Sequence, residues 1–370
     1  MPFNIIPQGF KDDVSVLVST EHKFKNMMIN HFELNGFSLI KTPLIEYVDK
    51  DTDQNAFHIS VKKNEKKIHI RDDITLQVAR LSETRLFKKK RPLKLCYYGE
   101  VVRKKGSMLR PERQFLQIGA ECIGEDSFLA DVEMLELAYT SLKLVGIKKM
   151  TIEISSRIFY DKFIKTIKFY KNKNTIIQLI KLKDLNGLLN ILDKKDHKFI
   201  KDLFACSGIY KDTKNNLNNL SVDDQTTNEI SNIINIVKNF SYKNKNINFF
   251  LDLCEIDDKN YHSGVRFTFF ADNIRGEIAK AGRYYVKNAL KENIATGFTC
   301  YMDTILRASS LKFIEKKIMI PLNTSKKKIN ELIKKGFSLY KNINSNQITK
   351  KVSKDHNCQY YLKNNIVKSS

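Results

Sequence analysis

A chain of 370 residues with 42% hydrophobic and 28% charged side chains is long enough for a full core plus smaller attachments, so two or three domains are expected. It has no run of about 18 apolar residues to span a membrane, and Met1 to Phe10 lack the basic and apolar regions of an export signal, so a cytoplasmic protein is expected. The net charge of +23 suits a nucleic-acid binder, but the excess is mostly lysine interleaved with asparagine, as in Lys171–Asn174 and Lys214–Asn219. Compositional bias explains that pattern at least as well.

In chain order, residues 14–35 carry Val14, Leu17, Val18, Phe24, Met27, Met28 and Phe32 at helical spacing, and Asn35-Gly36 ends that helix. A short strand, Phe37–Lys41, runs up to Pro43. Ile68 and Ile70 alternate with His69 and Arg71, and a helix is expected from Thr75. Strand Leu93–Val102, the basic loop Arg103–Arg113 and strand Gln114–Gly124 form a hairpin with a long loop. Seven of the twelve arginines (Arg71, Arg80, Arg85, Arg91, Arg103, Arg110 and Arg113) fall in this region of a lysine-rich chain. Such clustering points to a site for a carboxylate or another anion, with surface ion pairs as the alternative.

The second hairpin strand is the most informative element. Period 2 puts Leu116, Ile118, Ala120 and Cys122 on a core face and Gln117, Gly119 and Glu121 on the other. Gln and Glu flanking a glycine make a polar floor with room above it for a small polar ligand. A solvated outer face reads the same way, and alternation alone does not separate the two.

A helix follows over Ser127–Gly146, then a strand over Met150–Ser155. Residues 157–243 read as an inserted helical subdomain. Strands are expected again at Ile247–Ile256, Val265–Ala271 and Glu277–Ala281, and a Thr296–Phe298 turn opens the last core segment. Residues 316–370 read as a small α/β appendage: strand Lys317–Pro321, helix Ser325–Lys335, strand Phe337–Lys341, a helix, and strand Gln359–Leu362. The six cysteines form no CxxC pair and are expected as buried thiols, with no metal site and no cofactor motif.

These segments, in this order, resemble a class II aminoacyl-tRNA synthetase, and histidyl-tRNA synthetase in particular. The helix–strand–Pro43 unit is similar to motif 1, the dimer-forming element. IRDDIT (Ile70–Thr75) resembles the family's LRPEGT segment. YYGEVVR and RQFLQIGAECIG, within Tyr97–Gly124, resemble motif 2, with Arg103 in the place of its arginine. YHSGVRF (Tyr261–Phe267) resembles the histidine-specific DYYTGxxF segment, AGRYY (Ala281–Tyr285) resembles GGRYD, and ATGFTCYMDTIL (Ala295–Leu306) resembles motif 3. The likeness covers about residues 1–315. It implies an α+β fold: an antiparallel sheet flanked by helices over residues 1–315, with the insertion at about 157–243 and the appendage at 316–370.

The departures point to function. Thr304 stands where motif 3 carries a phosphate-clamping arginine, Asp257 where the histidine-specific segment begins with an arginine, and Lys105 where motif 2 has a glutamate. Loss of one such cationic clamp typically costs roughly 10² to 10³ in rate. A synthetase body without its chemistry, and with a short tail, resembles the regulatory subunits of two-component ATP phosphoribosyltransferases in histidine biosynthesis. That resemblance implies no catalytic residue on this chain, a short-form catalytic subunit as partner in a hetero-octamer, a motif 1 dimer, and histidine as effector. It implies a histidine site near Asp73, Thr75, Arg103, Gln117, Glu121, Tyr261 and Tyr284. There Glu121 and Asp73 would take the ammonium or imidazole, Arg103 the carboxylate, and the two tyrosines would wall the ring. His262 replaces a family tyrosine, and Asp73 is one methylene shorter than the family's glutamate. The alternatives are an active histidyl-tRNA synthetase and a synthetase-like accessory protein that binds tRNA or protein.

Overall fold

Apolar side chains at helical spacing make Val16–Leu34 the first helix, α1, with Phe24, Met28, Ile29 and Phe32 buried along one stripe. The computed structural model describes residues 5–48, 55–59, 66–168, 170–221, 223–245, 247–255, 262–272, 274–287, 292–313, 315–343 and 348–370. Helix α1 stops where Gly36 takes φ +87° and the Phe37 N–H returns to the Phe32 carbonyl at 3.1 Å. Strand β1 (Ser38–Ile40) follows. Beyond Pro43, β2 (Ile45–Tyr47), β3 (Phe57–Ile59) and β4 (Ile68–Ile70) form a small antiparallel sheet with β4 in the middle.

Helix α2 (Thr75–Glu83) leads to the hairpin of β5 (Leu93–Val102) and β6 (Gln114–Ile123), whose register sets Tyr97 opposite Gly119 and Leu95 opposite Glu121. Helix α3 (Phe128–Leu144) is capped by the Ser127 hydroxyl, which accepts from the Leu129 N–H, and strand β7 (Met150–Ser156) follows. The insertion comprises α4 (Arg157–Ile167), α5 (Lys173–Lys181), α6 (Leu185–Ile191), α7 (Lys194–Ala205), β8 (Gly208–Ile209), α8 (Tyr210–Thr213), a 3-10 turn at Lys214–Leu220, and α9 (Asp224–Lys243). It is helical as expected except for β8, two residues that pair with β9 (Asn248–Leu251) at the sheet edge. Helix α9 packs on α3, with the Tyr139 and Phe240 rings edge to face at 5.5 Å.

Strands β10 (His262–Ala271), β11 (Ala279–Lys287) and β12 (Glu292–Tyr301) complete a nine-stranded sheet, and α10 (Met302–Ala308) follows. The strand order is β1-β5-β6-β12-β11-β10-β7-β9-β8. The sheet is mixed rather than wholly antiparallel, because β1 runs parallel to β5 and β7 parallel to β9. The strand expected at Val265–Ala271 begins three residues earlier, at His262, and three further segments differ from the sequence reading. The strand expected at Ile247–Ile256 is confined to β9. The one expected at Glu277–Ala281 starts at Ala279 and continues to Lys287. Thr296–Phe298 is no turn but lies inside β12, with Gly297 paired to Glu121 on β6 and to Gly282 on β11. Thr-Gly reads as a turn from composition, but here the glycine meets a steric demand, since a Cβ at Gly297 would overlap the Glu121 carboxyl.

Strand β6 is buried on both faces, so its Gln117–Gly119–Glu121 side is no solvated surface. One face packs toward α1, where Phe32 meets Phe298 edge to face at 5.4 Å. The other is covered by α2, whose Val78 and Ala79 pack with Leu95, Tyr97, Tyr284 and Tyr301.

Contacts divide the chain into two compact units, Met1–Leu311 and Lys312–Ser370. The second contains β13 (Lys316–Pro321), α11 (Lys326–Lys334), β14 (Phe337–Asn342), α12 (Lys350–Asp355), β15 (Tyr360–Lys363) and β16 (Ile366–Ser369), with strand order β14-β13-β15-β16. Its small core is Ile318, Ile320, Leu332 and Leu362. All six cysteines are buried and free. Among the described residues no helix is long and apolar enough to cross a membrane.

Candidate ligand pocket

The alternation that makes β6 half polar also aims its polar half at a cavity of about 130 Å³ between the sheet and the start of α2. Asp73, Thr75, Arg103, Glu121 and Tyr284 all line it. Gln117 does not. It is fully buried below, where its Nε2 donates to Asp73 Oδ2 at 3.1 Å and its Oε1 accepts the Ile74 N–H at 3.2 Å. Asp73 Oδ1 accepts the Thr75 N–H at 2.8 Å, which fixes the loop into α2. Gln117 therefore orients Asp73, while Glu121 stands in the wall itself. Tyr261, expected at this site, lies outside the described residues, as does Asp257.

Glu121 is 1% exposed. Its Oε1 accepts from the Tyr97 hydroxyl at 3.2 Å and its Oε2 from the Tyr284 hydroxyl at 2.9 Å. Tyr97 also meets Thr299 Oγ1 at 2.7 Å and Thr75 Oγ1 at 3.3 Å, so four hydroxyls and a carboxyl form one network. Two bare backbones leave room for it, since a Cβ at Gly119 would collide with the Tyr97 ring and one at Gly297 with Glu121. Burial pushes the Glu121 carboxyl up to about 8, against the pull of the Tyr284, Thr75 and Tyr97 hydroxyls and with a push from Asp73. Burial likewise raises the Tyr97 phenol well above its usual range, so it stays a neutral donor.

Tyr97, Thr299, Lys280 and Gly297 were not singled out from the sequence. Tyr97 was within reach of that reading, because the hairpin pairs it with Gly119 and leaves a tyrosine over a bare backbone. Thr299 and Lys280 reach the site only because β12, with β11 beside it, pairs with β6 from far earlier in the chain. His262 also lines the cavity, its Nδ1 3.3 Å from the Arg283 carbonyl.

The arginine cluster serves mostly other ends. Arg71 is buried, donating to the carbonyls of Glu100, Thr42 and Pro43. Arg80 pairs with Glu46 and Arg91 with Glu83, and Arg113 donates to the carbonyls of Arg103 and Gln8. Arg110 packs on the Tyr301 ring at 3.8 Å and pairs with Asp303 at 2.9 Å and Glu277 at 3.4 Å. Burial works against its charge, but Asp303, Tyr301 and Glu277 together outweigh it and raise its pKa. Arg103 alone of the seven lines the small cavity, next to the Asp72 carbonyl at 3.4 Å. Arg103 and Glu277 also belong to an adjoining cleft of about 460 Å³ that includes Lys104, Lys105 and Arg110. At the motif 3-like position, Thr304 is fully buried, and its hydroxyl donates to the carbonyls of Glu277 at 2.9 Å and Tyr301 at 3.0 Å. Among the described residues no cluster of His, Cys, Asp and Glu could hold a metal ion.

The chain is 27% identical over 328 residues to an ATP phosphoribosyltransferase regulatory subunit of Rhodospirillum centenum, covering 86% of this chain and 84% of that protein. In fold it is similar to a Bacillus halodurans structure described as an ATP phosphoribosyltransferase regulatory subunit/histidyl-tRNA synthetase, with a TM-score of 0.80 at 20% identity over 98% of both chains. It is also similar to a chain of the ATP phosphoribosyl transferase (HisG:HisZ) complex from Thermotoga maritima, with a TM-score of 0.59 at 18% identity over 76% of this chain and 97% of that one. Residues 9–305 match the family model described as Histidyl-tRNA synthetase, and the chain belongs to that family.

Proposed function

We propose that this chain is a non-catalytic regulatory subunit of an ATP phosphoribosyltransferase in histidine biosynthesis, activating a short catalytic subunit and relaying feedback inhibition by histidine. The observation that carries the reading is Thr304. At the position where a synthetase holds a phosphate-clamping arginine, this chain has a buried hydroxyl bonded to two backbone carbonyls. The nearby Arg110 is already neutralised by Asp303 and Glu277. An adenylating site needs cations where negative charge develops between carboxylate and phosphate. The polar floor is retained, which suits binding without chemistry. Asp73 and Glu121 would hold the ligand's ammonium or imidazole, Arg103 its carboxylate, and Tyr284, together with Tyr261, its ring. The regulatory subunits among the relatives support the choice of partner.

Exposed Val16, Leu17, Leu39, Leu44 and Ile45 around the motif 1-like segment support self-association as a dimer within a hetero-octamer. Feedback requires histidine to favour one state of that assembly over another. The test is phosphoribosyl-ATP formation by a cognate short catalytic subunit, titrated with this protein with and without histidine. Activation that histidine reverses is the expected result. No change in rate with a folded partner sinks the reading.

A second reading, a working synthetase, is favoured by the cleft of about 460 Å³ that adjoins the pocket at Arg103. Histidine-dependent ATP–pyrophosphate exchange would establish it, and its absence is expected.

A further inference from the structure

We propose that one edge of the C-terminal unit is a docking surface for an anionic lipid bilayer, its aliphatic tips entering the headgroup region and its lysines meeting the lipid phosphates. The inference stands apart from the ligand pocket and from the regulatory reading.

Charge is the first observation. Residues 312–370 hold fourteen lysines, no arginine and three acidic residues, a net +11, whereas the other 311 residues together carry +12. A uniform lysine bias would spread charge in proportion to length. Here about a sixth of the chain holds almost half of it.

Placement is the second. Strands β13, β14 and β15 run parallel, and Pro321 at the end of β13 pairs with Asn342 at the end of β14. Leu322 and Ile343 are the residues that follow these two. Ile366, which opens β16, pairs with Lys363 at the end of β15. One edge of the sheet therefore presents three aliphatic side chains, 53%, 77% and 61% exposed in chain order. Apolar tips held in water at three strand ends mark a contact surface. Lys341 and Lys363 stand on the last residues of β14 and β15, and Lys326 and Lys327 open α11 just after Leu322. All four lysines are exposed, and among the described residues none forms an ion pair. The acids lie elsewhere. Glu331 pairs with Lys328 and Lys335, while Glu315 and Asp355 precede β13 and β15 at the opposite edge.

The side-chain types select the occupant. Surfaces for nucleic acid stack bases on aromatic rings and arginine planes, and protein interfaces are enriched in arginine and aromatics and depleted in lysine. This edge offers neither. The Phe337 and Tyr360 rings meet each other at 5.3 Å at the starts of their strands, and Tyr340 stacks on His356 at 4.8 Å. Aliphatic tips among lysines match a bilayer, where apolar ends reach the acyl boundary and ammonium groups stay with anionic headgroups.

The chain has no tryptophan, so a single introduced one reports its own surroundings. The experiment is fluorescence of I343W in the full chain, titrated with vesicles of phosphatidylglycerol or of phosphatidylcholine. A blue shift with phosphatidylglycerol alone is expected. No shift is expected in I333W, which alters an exposed position at the far end of α11. Cosedimentation gives the magnitude. K326Q/K327Q should lower partitioning onto phosphatidylglycerol vesicles roughly thirtyfold, and L322S/I366S roughly tenfold or more. An unshifted I343W, an equal shift with phosphatidylcholine, or partitioning that survives both double variants overturns the proposal. Binding of single-stranded RNA that K326Q/K327Q abolishes, with no vesicle binding, assigns the edge to nucleic acid and overturns it as well.

Discussion

Tyr284 on β11 reaches across β12 to donate its hydroxyl to Glu121 on β6 at 2.9 Å, two strands away. Its own register partner on β12 is Ala295, and the hydrogen bond passes diagonally over Gly297, which faces Glu121 directly. The tyrosine and the carboxyl meet because the intervening strand carries no side chain at that point.

Gly297→Ala places a methyl group where the Glu121 carboxyl lies. Overpacking of this kind costs about 1–3 kcal/mol. Denaturant melts should show that loss, and calorimetry should show histidine affinity reduced by roughly tenfold or more if it falls by a similar amount. Unchanged stability and affinity would mean that the carboxyl is free to move aside.

Glu121 also marks stability with a pH signature. Its folded-state titration near 8 lies above the ordinary carboxylate value of 4.5, so between those limits the folded chain holds a proton that the unfolded chain releases. The contribution is therefore fully present below about 4.5 and is lost as pH rises toward 8, by up to ~1.4 kcal/mol per pH unit. Subtracting the E121Q profile from the wild-type profile isolates it. Urea melts from pH 5 to pH 8 should show wild type losing ground to E121Q, and a flat difference would contradict the burial argument.

Asp303→Asn leaves Arg110 with only the 3.4 Å contact to Glu277 as an ion pair. Both the Arg110 and Asp303 side chains are about 95% enclosed, and breaking a buried pair from one side costs about 3–5 kcal/mol. Thermal or denaturant unfolding should register most of that. A change under about 1 kcal/mol would show that the Tyr301 and Phe115 rings hold the guanidinium by themselves.

Ser156 both caps α4, accepting the Ile158 N–H at 3.2 Å, and donates to the buried Glu229 carboxyl of α9. Burial raises Glu229 to about 7, and the serine hydroxyl opposes that rise. Ser156→Ala should cost about 1–2 kcal/mol through the lost cap and hydrogen bond. Hydrogen exchange should accelerate in α4 and α9 first, and uniform acceleration across the chain would argue against a local tie between insertion and sheet.

The elements of the main unit were largely legible because each has a strong local signal. Phe24, Met28 and Phe32 recur at helical spacing, and Asn35-Gly36 supplies a left-handed stop. Leu116 through Cys122 alternate cleanly on β6. The polar floor was legible as a pattern, but its burial was not, since a solvated face would alternate identically. The Thr296–Phe298 segment misled because glycine has two uses, backbone freedom in a turn and close approach in a sheet, and only pairing with β6 and β11 selects the second.

Sequence alone pointed to residues that could line a pocket in two ways. The spacing of Gln117, Gly119 and Glu121 is a local property written by periodicity, whereas Asp73, Thr75, Arg103 and Tyr284 came from segments whose order resembles one family. The tertiary structure decided their division of labour. It put Gln117 beneath Asp73, tied Arg110 to Asp303, and closed Tyr97, Thr299 and Tyr284 around Glu121. The proton affinity of a carboxyl depends on what excludes water from it and which charges stand near, and those neighbours arrive from strands far apart in the chain.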